Sequence, residues 1–262
     1  MDLGLNGKTA LVTGASRGIG LAVAEALAEE GVRVVGVART ITPELEKVAA
    51  ATVSTDLSTT EGALAAVEAA LAELGGIDIL VNNVGGGDIT DMEFGGFLDV
   101  PDEQWRKLFD LNLFGVVTTT RAALPSIVER RGTVITVSSI NARVPAVGPA
   151  GYSEAKSALT SFGKRLSEEF GPQGVRVNTV SPGPVGTGIW RGPDHLGAKL
   201  AAVSGVDQEQ FLKNMPAQFN IAAGRIAEAH EIAALVTFMA SERSAIINGA
   251  DYVIDGGIVK TA

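Results

Sequence analysis

Short runs of apolar and β-branched residues recur along the chain, separated by longer stretches whose apolar residues return every three or four positions. Thr9–Thr13 reads as a buried strand, and a glycine-bearing turn over Thr13–Gly20 leads into a helix reaching about Glu30. Val32–Val37 gives a second strand, Ala63–Leu74 a helix and Ile77–Val81 a further strand. Pro101 and Asp102 open a long helix expected over Glu103–Val128, followed by the β-branched strand Thr133–Val137. The helix Tyr152–Phe170, the strand Val175–Val180, the helix Ala229–Ala240 and the strand Asp251–Ile254 complete the series. Strands that are apolar on both faces and alternate with helices predict an α/β fold, a doubly wound parallel sheet flanked by helices.

Two glycine-containing segments interrupt this rhythm, Gly85–Gly96 and Pro182–Pro216. Each follows a predicted strand, so each belongs at the carboxyl edge of the sheet, where ligand-binding loops collect. The second leads through Trp190, Leu196, Leu200, Phe211, Met215 and Phe219. This apolar set predicts a small helical substrate lid over residues 187–219, with ordinary packing or a subunit contact as the alternative.

Composition narrows the class. The chain has 262 residues, 46% hydrophobic and 19% charged, which suits one globular domain spanning 1–262 with no charge-rich linker. A formal charge of −9 argues against an extended nucleic-acid surface. With no cysteine, disulfides, thiolate metal sites and thiol nucleophiles are excluded. His195 and His230 are the only histidines, and no compact acidic set accompanies them, so no metal is expected. No leader pattern or long uninterrupted apolar run stands out, and a cytoplasmic protein with no membrane partner is the expectation.

Candidate chemistry begins at Thr13–Gly20, TGASRGIG. Glycines between a strand and a helix permit close backbone approach to a phosphate, while the helix start offers unpaired N–H groups to the anion. The spacing departs from GxGxxG, and glycines alone also fit a plain strand-to-helix turn. Further on, Tyr152 and Lys156 lie four residues apart and so share one face of their helix, a spacing equally common on ordinary helices. The second strand ends Val37-Ala38-Arg39, with no acid at Ala38.

Together these segments resemble the short-chain dehydrogenase/reductase family, and the likeness runs from the first strand to Asp255-Gly256-Gly257. Thr13, Gly14, Gly18 and Gly20 match its TGxxxGxG turn, and Asn82-Asn83-Val84-Gly85 matches its NNAG motif with Val84 as a departure. Asn112, Ser139, Tyr152 and Lys156 match its catalytic tetrad, Ser139 standing 13 positions before Tyr152. Pro182-Gly183-Pro184-Val185 and Thr187 match the loop that shapes its nicotinamide pocket.

The resemblance implies a single-domain Rossmann-like fold and a dinucleotide site drawn from Gly14, Ser16, Arg17, Gly18, Ile19, Gly20, Arg39, Asp56, Leu57, Asn83, Gly85, Tyr152, Lys156, Pro182, Gly183, Val185 and Thr187. Ala38 with Arg39 and Arg17 leaves room and positive charge for a 2′-phosphate, so NADP(H) is expected over NAD(H). In the implied reaction Tyr152 gives a proton to a carbonyl oxygen as hydride arrives, or acts as tyrosinate in reverse. Lys156 lowers the cost of that anion and orients the nicotinamide ribose, Ser139 bonds the substrate oxygen, and Asn112 holds a helix kink and a water. Ser138 is expected to serve only strand or turn hydrogen bonding. Gly183 and Gly186 are expected to supply unusual backbone angles, and His195 to lie on the surface. The substrate is then a ketone or secondary alcohol with some hydrophobic surface. The alternatives are a 3-oxoacyl thioester and a non-catalytic nucleotide-binding scaffold. A homotetramer is implied, or a dimer.

Overall fold

In a computed structural model, residues 2–86, 97–145 and 148–260 are described. Most of the expected rim segment Gly85–Gly96, residues 87–96, lies outside the described residues, as do 146–147. Among the described residues seven strands form one sheet: β1 Thr9–Thr13, β2 Arg33–Ala38, β3 Ala51–Ser54, β4 Ile79–Asn82, β5 Thr133–Val137, β6 Arg176–Pro182 and β7 Asp251–Ile254. Their order is β3-β2-β1-β4-β5-β6-β7, and every pairing is parallel.

The helices are α1 Gly18–Glu29, α2 Pro43–Val48, α3 Thr60–Leu74, α4 Asp102–Phe109, α5 Gly115–Glu129, α6 Tyr152–Phe170, α7 Gly188–Arg191, α8 Leu196–Val203, α9 Gln208–Gln218 and α10 Ala229–Ala240. The period-two pattern of the strands sorts their side chains between two layers. Val12, Val34, Val81 and Val180 face α1 and α10, where Val23, Leu27, Ile232 and Val236 meet them. Leu11, Val35, Leu80 and Val134 face the other layer, built from α3, α5 and α6 around Val67, Ile127 and Leu166. Both faces are covered, which is why the strands read as apolar throughout.

Chain direction across the sheet reverses between β1 and β4. Loops leaving the carboxyl ends of those strands diverge to opposite faces, and the crevice between them is the natural ligand site of such a sheet.

The structure adds to the expected elements. The helix read over Glu103–Val128 is α4 and α5 joined by a π-helical turn, Asp110–Phe114. The 28-residue stretch Asp102–Glu129 is long enough for a membrane span and contains an 18-residue window of mean hydropathy 1.2, yet its α5 portion buries Ala123, Leu124 and Ile127 against the sheet. The strand β3 and helix α2 are additional: β3 has four residues at a sheet edge and α2 six, too short for a visible period. The expected lid segment forms three short helices, α7 to α9, around Phe211 and Met215 with Trp190, Leu200 and Phe219 against them. His195, expected on the surface, is half-buried within this lid region, and its ring leaves no room for a Cβ on Gly192.

Candidate active site

The glycine turn after β1 is fixed by space as much as by backbone angle. Gly14 and Gly18 adopt φ of +64° and +59°, the left-handed region that favours glycine. A Cβ on Gly20 would lie 2.1 Å from the Gly14 carbonyl oxygen, so only glycine lets α1 start this close to the turn. Asn83, after β4, holds the turn from the other side of the crevice. Its Nδ2 donates to the carbonyls of Thr13 and Gly14 at 3.0 and 3.1 Å. The Thr13 hydroxyl accepts from the Asn83 and Val84 amides at 3.0 and 3.1 Å. Val84 therefore occupies the place of the expected Ala without disturbing this polar lattice.

Arg17 and Arg39 are both exposed, at the start of α1 and the end of β2. The two ends are adjacent because Thr13 pairs with Val37 and the Ala15 amide donates to the Val37 carbonyl at 3.0 Å. Ala38 is 8% exposed, so no carboxylate projects from that position. Asp56 is turned back on its own loop, accepting from the Ser58 amide and hydroxyl at 2.9 and 2.8 Å. The amide bond holds its carboxyl below the usual range, with smaller help from the Ser58 hydroxyl and the Arg39 charge. Leu57 is buried beneath it, and its carbonyl abuts Gly115, where a Cβ would approach to 2.0 Å.

The expected tetrad converges at the carboxyl ends of β4 and β5. Gly151, at φ +86°, precedes α6, and its amide donates to the Glu154 carboxylate at 2.7 Å, closing the helix start on which Tyr152 sits. One turn later Lys156 is 2% exposed and donates through Nζ to the Val137 carbonyl at 3.1 Å. That nitrogen lies 5.7 Å from the centre of the Tyr152 ring. Burial pushes the Lys156 ammonium down to about 8, because a charge is costly where water is excluded. Burial also raises the Tyr152 phenol, against a smaller lowering by its hydrogen bond with Ser139.

Ser139 caps a short 3₁₀ turn, its oxygen accepting from the Asn141 amide at 3.2 Å. Neighbouring Ser138 is committed elsewhere: its hydroxyl donates to the Lys156 carbonyl at 3.2 Å and shares a 2.9 Å bond with Thr160. That packs β5 onto α6, in keeping with its expected structural part. Asn112 is fully buried within the π turn. Its Oδ1 accepts from the Gly86 amide at 2.9 Å, and its Nδ2 donates to the carbonyls of Gly86 and Leu108 at 2.7 and 2.9 Å. The extra residue of the π turn swings this side chain onto the loop after β4.

The loop after β6 closes the site. The Gly183 amide donates to the Ile254 carbonyl at 3.1 Å, and Val185 bridges to Ala227. Gly183 and Gly186, expected to relax the backbone, are glycines for another reason. Neither has a left-handed φ; a Cβ would meet Asp255 at 2.8 Å in one case and the Arg191 guanidinium at 2.6 Å in the other. Thr187 faces the glycine turn, its γ-methyl 3.2 Å from where a Gly18 Cβ would stand.

Sequence reasoning missed three supporting groups: the Val137 carbonyl that anchors Lys156, the Gly151 turn, and the contact of Gly85 with Lys156. A glycine immediately before Tyr152 was the available signal for the second; the other two depend on chain segments that only the fold brings together.

A parallel sheet of this order, with a glycine turn at its switch point, defines a nucleotide-binding Rossmann domain. The family model described as enoyl-(acyl carrier protein) reductase matches residues 14–259. The chain is 33% identical over 262 residues to the 3-oxoacyl-[acyl-carrier-protein] reductase FabG of Vibrio cholerae, covering 98% of this chain and 99% of that one. Among solved structures, L-sorbose reductase from Gluconobacter frateurii, in complex with NADPH and L-sorbose, superposes with a TM-score of 0.90 at 33% identity over the whole of both chains. Aldohexose dehydrogenase from Thermoplasma acidophilum, in ligand-free form, superposes with a TM-score of 0.87 at 26% identity, covering 100% of this chain and 98% of that one. The chain belongs to the short-chain dehydrogenase/reductase family, and is an oxidoreductase of that class.

Proposed function

We propose that the chain interconverts a ketone and a secondary alcohol with NADP(H), using Tyr152 as the acid or base. The observation that carries this reading is the buried Lys156, tied to the Val137 carbonyl and set 5.7 Å from the centre of the Tyr152 ring beside the glycine turn of the sheet's switch point. Among the described residues no carboxylate pairs with this buried ammonium, and a buried charge of that kind is expensive and calls for a function.

The dinucleotide fits the residues present. The glycine cradle admits no Cβ at Gly20, the Gly18 and Ile19 amides open α1, and Ser16 and Arg17 flank them. Arg39 and Arg17 would hold the 2′-phosphate, Asp56 and Leu57 would border the adenine, and Asn83 and Gly85 would shape the middle of the site. Pro182, Gly183, Val185 and Thr187 form the nicotinamide end. When bound, NADP(H) supplies or takes up hydride. The similarity to a reductase solved with NADPH supports the phosphorylated cofactor.

In the direction of reduction, Tyr152 gives its phenolic proton to the carbonyl oxygen, and Ser139 donates to the same oxygen. Lys156 stabilises the tyrosinate left behind and orients the ribose. Asn112 keeps the loop after β4 in register and holds the kink at the π turn. The helical lid over 187–219 covers the substrate and favours one with some apolar surface. The similarity to FabG supports a 3-oxoacyl thioester as the second reading. A cytoplasmic homotetramer, or a dimer, completes the proposal.

Fluorescence titration with NADPH and NADH at one salt concentration tests it. Tighter NADPH binding is the expected result, and Arg39→Asp should remove about 1–3 kcal/mol of that preference by losing a charge-assisted phosphate contact. Preferential NADH binding, or an unaltered preference in the variant, would contradict the assignment.

A further inference from the structure

The lid region leaves the body of the domain through α7, which has four residues and no side-chain cap from Thr187. A single helical turn does not hold its own position. Arg191, at its end, supplies the anchor. Its Nη2 donates to Glu228 Oε1 at 2.6 Å and its Nη1 to Oε2 at 2.9 Å, a two-pronged ion pair. The same Nη1 donates to the Gly186 carbonyl at 3.1 Å, and the absence of a side chain at Gly186 lets the guanidinium lie on the loop backbone.

Glu228 is itself held. Its amide donates to Glu231 Oε2 at 2.8 Å, and Glu231 pairs with Arg225 at 2.6 Å. Beside it the Gly186 amide donates to the Ala227 carbonyl at 2.7 Å, and the Ala227 amide to the Pro184 carbonyl at 3.2 Å. A continuous line of contact therefore runs from the start of α10 through Glu228, Arg191, Gly186 and Thr187 to Gly18 in the dinucleotide turn.

We infer that Arg191 and Glu228 form a clasp that sets the Val185–Thr187 loop against the Gly18 turn and thereby governs dinucleotide affinity. They are positioning residues, acting through Thr187 and Val185 with no contact to the reacting atoms. The inference rests on the proposed cofactor function. Half of the Arg191 side chain, 49%, and 35% of Glu228 remain exposed, so the clasp is open to screening by salt.

The test combines NADPH titration with steady-state kinetics on the full chain. Arg191→Met and Glu228→Gln should each raise the NADPH Kd and KM by about fivefold, the worth of a well-formed exposed pair, while kcat moves by less than about twofold. The double variant should be no weaker than either single one, and the reversed pair R191E/E228R should recover most of the affinity. In roughly 1 M salt the unaltered chain should approach the variants. Single variants that bind NADPH as the unaltered chain does, losses that simply add in the double variant, or a fall in kcat at constant Kd would overturn the clasp. Failure of the unaltered chain to bind NADPH would instead remove the cofactor reading itself, an outcome visible before any variant is made.

Discussion

Gly85 is glycine for the sake of two side chains. Its φ is not left-handed, but a Cβ there would stand 2.7 Å from Lys156 Nζ and 3.0 Å from Asn112 Oδ1. Gly85→Ala should therefore fold normally and displace the ammonium, lowering kcat by roughly 10-fold or more, since small misplacements at a reacting centre are costly. Unchanged kcat with an unchanged melting temperature would show that Lys156 has slack. The position of Lys156 also fixes a pH dependence. Its pKa is lowered to about 8 by burial, whereas the Tyr152 phenol is raised, so the donor keeps its proton while the ammonium is the first to lose its charge. For reduction, kcat/KM should be level near neutrality and fall as pH rises through about 8, because this ratio reports the groups of the free enzyme. A profile flat to pH 10 would remove the charge of Lys156 from the account.

At the scale of elements, local chemistry explains which parts of the fold were legible. Strands β1, β5 and β7 and helix α10 stand as the apolar pattern predicts, because their periods are long or bounded by glycine and proline. The break within the Asp102–Glu129 helix has no period of its own; it is set by Asn112 bonding to Gly86, more than twenty residues away in sequence. Arg176 is a second long-range device. This partly buried cation donates to the carbonyls of Met239, Ala240, Ser241 and Ser244 at 2.9–3.4 Å, meeting the negative end of α10. Burial lowers its pKa, and among the described residues no carboxylate offsets that cost. Arg176→Met should destabilise the chain by about 2–3 kcal/mol, read as a lower urea midpoint, by removing the charged donor that those carbonyls share. An unaltered midpoint would mean that water replaces the guanidinium.

Over the whole molecule, the sequence carried the candidate site further than it carried the site's support. Tyr152, Lys156, Ser139 and Asn112 are recognisable through the family resemblance, their spacing alone being common on ordinary helices, and the structure brings them together at one edge of the sheet. Their anchors are backbone atoms, the Val137 carbonyl and the Gly86 peptide, which no side-chain pattern announces. The Arg191–Glu228 clasp, a pair of side chains, was hidden for a different reason: 37 positions separate its partners. The most direct test of the account is carbonyl reduction by Tyr152→Phe, followed beside NADPH affinity. Removing only the phenolic oxygen should lower kcat by at least about 10²-fold while leaving NADPH binding within roughly twofold, the signature of a lost proton donor in an intact site. Near-normal turnover in that variant would contradict the role of Tyr152 and, with it, the proposed chemistry.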